Sequence, residues 1–405
     1  MTEFDYKKLR TGGAALISGQ ALQALVAFAT NLVLVRYILP DGFGRFALVL
    51  AGASLFLSLV SLRVNILITR LGEREYTEDI KDLYFSALSM ETAVAFVIIL
   101  AWLIITGTAG LWEILLILSL GFRHWVEQNR AFFERTMPYR KLAIVETIVA
   151  IAAHAAAVVS VVGGIGWVAL YIREIILTIL SFTAMWWIGG ITLRRFRFLT
   201  IGEWKALIRE ARGVWLDSVL EGSFHRLTIL LAGFMGSDLV AGLIFQALRL
   251  AVVPHQFLAP IVTRLVVNWF GRAEEQTLQD QGRDKVLLVL FPPLIVIALL
   301  AIAFADPVVP FLFGENWTGV IDLFRAMAGI VVFISTFEVL RSYCLSVRRT
   351  GVLLAGRAFQ YAGMALPLAI ALNGWLEGAL ALALGLSFAY ALAFVSMLVI
   401  LKIRF

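Results

Sequence analysis

The chain has 405 residues, 61% of them hydrophobic and only 15% charged, against about 25% charged in soluble domains, which excludes an ordinary water-soluble globular fold. Its formal net charge is +6, but the bases cluster at the ends of apolar runs, so nucleic acid is not an expected partner. The one cysteine, Cys344, excludes an internal disulfide.

A hydrocarbon core about 30 Å thick takes roughly 20 apolar residues per helix. Twelve candidate runs follow one another: 12–36, 44–68, 84–106, 110–128, 143–162, 167–189, 213–234, 239–262, 285–304, 319–344, 352–372 and 376–401. Backbone groups in lipid must bond within their own segment, so each run is expected to be a helix. The runs are too long and continuous for barrel strands. The first lacks a small-residue cleavage site and reads as a retained span.

Bases crowd alternate gaps between the runs. Lys7, Lys8 and Arg10 precede the first; Arg70, Arg74 and Lys81 follow the second; Arg130, Arg135, Arg140 and Lys141 follow the fourth. Six bases, from Arg194 to Arg212, follow the sixth. Arg272, Arg283 and Lys285 follow the eighth, Arg348 and Arg349 the tenth, and Lys402 and Arg404 the last. The intervening gaps, such as 107–110, 163–166 and 236–238, are short and carry no base; only the first is flanked by two, Arg36 and Arg45. Positive residues stay on the cytoplasmic side, so both termini are expected there, which requires an even number of spans.

The longest charged connection, 190–212, divides the chain into a six-helix lobe over 1–190, a linker over 191–212 and a six-helix lobe over 213–405. The linker mixes Phe196, Phe198, Trp204, Leu207 and Ile208 with its bases, the composition of an amphipathic segment lying on a membrane surface. The halves read as a repeat. LVRYILPDGFGRFALV (34–49) and ILLAGFMGSDLVAGLIFQAL (229–248) each end an apolar run in a short turn with Asp and open the next with Gly; Gly44 aligns with Gly242. IGWVAL (165–170) and NGWLEGAL (373–380) open the last span of each half. Six spans per half make the repeat parallel, as in the two halves of some transporters, whose halves rock to expose a central site to each side in turn. The expected fold is therefore all-α and integral to the membrane: twelve transmembrane helices in two pseudo-symmetric six-helix lobes around a central cavity. GxxxxGK[ST], HExxH, CxxC and GxSxG are absent, so no catalytic or nucleotide-hydrolysing motif is expected, nor a bound cofactor or metal.

Several charges fall inside the spans, where ionisable groups face a bundle interior or a wet cavity. Arg63 lies in span two, Arg173 in span six, Arg226 in span seven, Arg249 in span eight and Arg325 in span ten. Asp217, Glu221 and His225 recur every fourth residue and so share one face of span seven. Arginine suits a phosphate because its planar fork donates paired bonds and stays charged. Arg226, Arg249, Arg63, Arg173 and Arg325 are thus candidate substrate-binding residues. Gln23 and Asn31 in span one are candidates for sugar hydroxyls. Asp217, Glu221 and His225 would bind sugar or a coupling proton; a proton or sodium ion is the only expected coupling partner. Each has a structural alternative: an ion-pair ladder for span seven, a neighbouring helix's carboxylate for Arg249, snorkelling for Arg63 and a local salt bridge to Asp322 for Arg325. Arg173 and Glu174, being adjacent, point in different directions on a helix. Pro254, Pro260, Pro292, Pro293 and Pro367 should bend their helices.

Three blocks, RYILPDGFGRFALV, RAFFERTMPYRKLAIVETI (130–148) and FLFGENWTGVIDLFRAMAGIVVF (311–333), resemble in order and spacing the polysaccharide or O-antigen flippase branch of the multidrug, oligosaccharidyl-lipid and polysaccharide (MOP) exporter superfamily. The resemblance covers essentially the whole chain. It implies a two-lobed inner-membrane flippase that moves an undecaprenyl-linked oligosaccharide (an O-antigen, capsule or exopolysaccharide repeat unit) to the outer leaflet by alternating access. Its partners would be the polyprenyl-diphosphate glycan, membrane lipid and a glycan polymerase machinery. Arg63 departs from the small residue that the family often has near the inner end of span two. A proton- or sodium-coupled drug antiporter of the same superfamily is the alternative, but intramembrane arginines outnumber carboxylates here, favouring an anionic substrate. A membrane glycan polymerase ranks third, because the longest outer loop is about 13 residues and carries no base, where such an enzyme would, by analogy, present catalytic residues.

Overall fold

The computed structural model describes residues 3–72, 74–136, 138–258, 276–347, 349–374 and 376–402, with side chains from Ser18 onward. Arg272, Arg348, Arg404 and Pro260 lie outside the described residues. The described chain forms α-helices and no strand: α1 (Glu3–Tyr37), α2 (Pro40–Val60), α3 (Val64–Arg70), α4 (Glu78–Ile105), α5 (Leu111–Glu134), α6 (Tyr139–Val162), α7 (Val168–Trp187), α8 (Ile201–Met235), α9 (Asp238–Ala251), α10 (Gln276–Ala303), α11 (Ala305–Phe313), α12 (Val320–Ala326), α13 (Ala328–Ser346), α14 (Thr350–Leu372) and α15 (Gly378–Ile400). Among the described residues, nine helices are long and apolar enough to cross a membrane. Of the other expected spans, α5 carries too many charges, α8 is not apolar enough, and α9 has only 14 residues before a segment outside the described ones.

Large apolar side chains such as Val97, Ile105, Trp187, Phe234 and Leu372 are exposed, while Glu91, Glu113, Gln128, Asn129, Arg173 and Glu174 are buried. An apolar exterior with ionisable groups turned inward suits a protein whose solvent is lipid.

The chain divides into two compact units, Met1–Ile38 with Leu48–Leu227 and Leu39–Ala47 with Thr228–Phe405. In the first unit α1 packs on α6, α6 on α7, α7 on α5, and α5 on α4 and α3. Gln23 Nε2 donates to Thr147 Oγ1 at 3.2 Å, joining α1 to α6. The charged connection expected to lie on the membrane surface first runs as a non-helical strap. Asn129 pins it by bonding both the N–H and the carbonyl of Thr192 at 2.8 and 2.9 Å. Leu199, Leu207 and Ala211 then enter a core with Val64, Leu67, Ile68, Tyr84, Leu88 and Phe132. α8 starts at Ile201, earlier than the apolar run suggests, because Thr200 and Glu203 cap it reciprocally. Glu203 accepts the Thr200 N–H at 2.8 Å and Thr200 Oγ1 accepts the Glu203 N–H at 3.3 Å.

In the second unit α14 packs on α15, α13 on α15, α10 on α13 and α12 on α9. The start of α2 crosses α9 at the two aligned glycines. A Cβ on Gly44 would overlap the carbonyl of Asp238, and one on Gly242 would overlap the carbonyl of Pro40. Asp238 and Gly242 have the same four-residue spacing as Pro40 and Gly44, so the two segments meet reciprocally where only glycine fits. The gap expected as a short loop at 306–318 contains α11 and a 3-10 turn at Glu315–Trp317. Trp317 is buried, with its ring edge-on to Phe43 at 5.4 Å. The expected span ten is two helices, α12 and α13, meeting at Met327.

Candidate anion-binding site

The run expected as one helix over 44–68 is broken. α2 ends at Val60 and α3 begins at Val64. Between them Arg63 takes a left-handed conformation, φ 56° and ψ 47°, which costs a residue with a Cβ about 1–2 kcal/mol. Side chains from elsewhere hold the break. Glu91 of α4 accepts the Leu62 N–H at 2.9 Å and lies 3.5 Å from Ser61 Oγ. Ser61 Oγ accepts the Arg63 N–H at 3.3 Å. Gln128 of α5 accepts the Asn65 N–H at 2.9 Å. His124 Nε2 lies 3.5 Å from the Glu91 carboxylate.

α8 runs alongside. Trp215 Nε1 donates to the Leu59 carbonyl at 2.9 Å, in the last turn of α2. One turn of α8 before Arg226, Gly222 leaves room for it: a Cβ there would meet Arg226 Nη1 at 2.7 Å and Ser58 Cβ at 3.7 Å. The Arg226 guanidinium therefore folds back over Gly222 beside α2. The charges acting on it are positive Arg63 and negative Glu221. Arg63 Nε and Arg226 Nη1 are both buried and have no hydrogen-bond partner among the described residues. An unsatisfied buried donor costs about 1–3 kcal/mol, more when charged. Asp217 and His225 are half-buried on the same helix and Glu221 is exposed; the His225 ring lies 5.8 Å from that of Phe224. Among the described residues no cluster of His, Cys, Asp and Glu could hold a metal ion.

The remaining candidates lie elsewhere. Arg173 does not point away from Glu174: its Nε and Nη2 bond Glu174 Oε1 at 3.0 and 2.7 Å, because the long side chain curls back along α7. Arg123 of α5 holds the other oxygen at 2.5 Å. Gln23 bonds α6 and Asn31 is buried in α1. In the second unit Arg249 lies over the Phe245 ring at 5.4 Å. Arg325 bonds Asp306 and lies 3.5 Å from Asp322. Glu91, His124, Gln128 and Arg123 escaped the sequence reading. A carboxylate in the middle of the apolar run 84–106 was the available signal for Glu91.

The fold and the buried charges define an all-helical, multi-span membrane protein. The family profile described as "Polysaccharide biosynthesis protein" matches residues 33–322, and the chain belongs to that family. It is 28% identical over 181 residues to "Lipopolysaccharide biosynthesis protein WzxC" of Escherichia coli (strain K12), covering 43% of this chain and 35% of that protein. The match thus spans about a third of that relative's length. The structure resembles "Lipid II flippase MurJ, inward closed conformation", with a TM-score of 0.73 at 13% identity over 97% of this chain and 87% of that one. It also resembles an inward-facing multidrug resistance MATE family transporter of the MOP superfamily, with a TM-score of 0.68 at 14% identity over 96% of each chain. A MOP superfamily transporter from Pyrococcus furiosus, whose binding pocket is described as reversed in polarity, gives 0.62 at 13% over 96% and 93%. At these identities the likeness concerns the fold.

Proposed function

We propose that the protein is a flippase that carries an undecaprenyl-linked oligosaccharide from the inner to the outer leaflet of a bacterial inner membrane by alternating access, with both termini cytoplasmic. Membership in a polysaccharide biosynthesis family supports a glycan-linked substrate. The alternation of basic and base-free gaps supports the orientation. The observation that carries the reading is the Arg63–Arg226 pair, whose buried guanidinium nitrogens lack partners among the described residues. A lipid diphosphate offers charge and several acceptor oxygens to such a pair, while its prenyl tail stays in hydrocarbon. Asp217, Glu221 and His225, one turn apart along α8, would meet sugar hydroxyls or a coupling proton.

The test is translocation of a labelled undecaprenyl-diphosphate saccharide by the protein reconstituted in vesicles. Arg226→Ala should slow translocation about tenfold or more, a loss of roughly 1.4 kcal/mol per factor of ten, with protein levels unchanged. Wild-type rates in Arg226→Ala would remove the arginine pair from the mechanism. A drug-like cation carried in its place would favour the antiporter.

A further inference from the structure

We propose that Glu91 is a positioning residue for Arg63: by holding the backbone of the α2–α3 junction open, its carboxylate sets the Arg63 guanidinium beside Arg226. The inference rests on the anion reading of that pair. In an uninterrupted α-helix the N–H of each residue bonds the carbonyl four residues earlier. The Leu62, Arg63 and Asn65 N–H groups would then go to the carbonyls of Ser58, Leu59 and Ser61. None does so here. Glu91 takes the Leu62 N–H, Ser61 Oγ that of Arg63 and Gln128 that of Asn65. The Leu59 carbonyl, released by the break, accepts the Trp215 indole N–H instead. The junction is thus held from α4, α5 and α8 at once.

Glu91 holds it from a buried position, 3% exposed. Its oxygens face Leu62 N, Ser61 Oγ and His124 Nε2, and it makes no ion pair with Arg63. It therefore acts through the backbone and does not neutralise the guanidinium, leaving the positive charge for a ligand. Without the carboxylate the freed Leu62 N–H sits in a low-dielectric interior, and the cheapest repair is to continue α2 through residues 61–63. That repair moves Arg63 from the left-handed to the right-handed region and swings its side chain to another face of the helix.

The test uses the full-length protein in lipid nanodiscs, with undecaprenyl diphosphate as the probe. Arg63→Ala should weaken binding about tenfold, or roughly 1.4 kcal/mol. Glu91→Ala should weaken it by a similar factor, and the double variant should bind no worse than Arg63→Ala alone, because the two act as a unit. Glu91→Gln should restore most of the affinity, since its amide oxygen still accepts the Leu62 N–H. Should Glu91→Ala fail to fold, Glu91→Asp, one methylene too short, takes its place with the same expected loss. Losses that multiply in the double variant, or wild-type affinity in Glu91→Ala, would overturn the proposal. A readout without ligand separates it from the flippase reading. Cys344 is the single cysteine, so Arg63→Cys on a Cys344→Ala background gives one reporter thiol. Its rate of reaction with a charged thiol reagent should change severalfold when Glu91 becomes Ala. If Arg63→Ala leaves undecaprenyl diphosphate binding intact while the thiol rate shifts, the diphosphate reading fails and the positioning role stands. An unchanged thiol rate overturns the positioning role.

Discussion

The first unit buries two groups of arginines, and they are solved in opposite ways. On α5 and α7, Arg123 and Arg173 share the two oxygens of Glu174. At the α2–α3 break, Arg63 acts on Arg226 as a like charge and exposed Glu221 as an opposite one, and each arginine keeps a buried guanidinium nitrogen unbonded among the described residues. A buried charge costs several kcal/mol unless it is paired and fully bonded. The first group meets that condition from within and fastens two helices. On the proposed reading, the second leaves it for something that arrives with negative charge. Burial of an arginine therefore says little about its role; whether the fold supplies its carboxylate says much.

The largest effect should come from breaking the satisfied group. Glu174→Ala removes the carboxylate that Arg123 and Arg173 share, and removing one partner of a buried pair costs about 3–5 kcal/mol. Thermal unfolding of the detergent-purified variant should show a loss of that order, or the protein should fail to accumulate. A melting temperature near wild type would mean that the cluster is not the fastening it looks like. Translocation by whatever protein survives should fall only in proportion to its amount.

The opposite manoeuvre converts the open group into a closed one. Ser58 lies beside the Arg226 guanidinium on α2 and its hydroxyl donates to the Leu55 carbonyl of its own helix. Ser58→Asp would place a carboxylate where the proposed phosphate goes. Stability should rise or stay level, and translocation should drop about tenfold or more, roughly 1.4 kcal/mol for each factor of ten. Loss of both stability and transport would show only that Asp does not fit; a stable variant transporting at the wild-type rate would contradict the comparison itself.

What the amino-acid order reveals about these two groups differs for a physical reason. Apolar run lengths and the rhythm of bases report the solvent of each segment, and so the all-helical membrane architecture is legible from them. The matched glycines are legible as well, because a backbone crossing at Gly44 and Gly242 tolerates no side chain on either helix. Arg63 and Arg226 stand out as charges inside apolar runs. The break at residues 61–63 is not legible. The local string SLRVN contains no glycine or proline, and the groups that stabilise it come from Glu91, 29 residues from Leu62, and Gln128, 63 residues from Asn65. Local propensity cannot register a cap delivered by another helix. The same blindness hid the curl of Arg173 onto its own neighbour, which takes its shape from Arg123 across the helix interface.

The exposed pair Arg197–Glu203 supplies the small end of the scale. Arg197 Nη2 lies 2.6 Å from Glu203 Oε1. Hydrogen bonds from Arg197 first, then from the Thr200 N–H, hold the Glu203 carboxyl down at about 2, below its ordinary 4.5. A folded value below the unfolded one means that the contribution to stability is complete above about pH 4.5 and fades as the pH falls towards 2. Glu203→Gln should therefore lower the melting temperature slightly at pH 6 and not at all near pH 2, with high salt shrinking the difference because the pair is open to water. Since Glu203 also caps α8, which carries Arg226 about six turns further on, translocation at neutral pH should be unaffected unless fraying reaches the arginine. A transport defect as large as that of Arg226→Ala would mean that the strap and the open arginine pair are mechanically linked, and that the site extends well beyond the residues at the helix break.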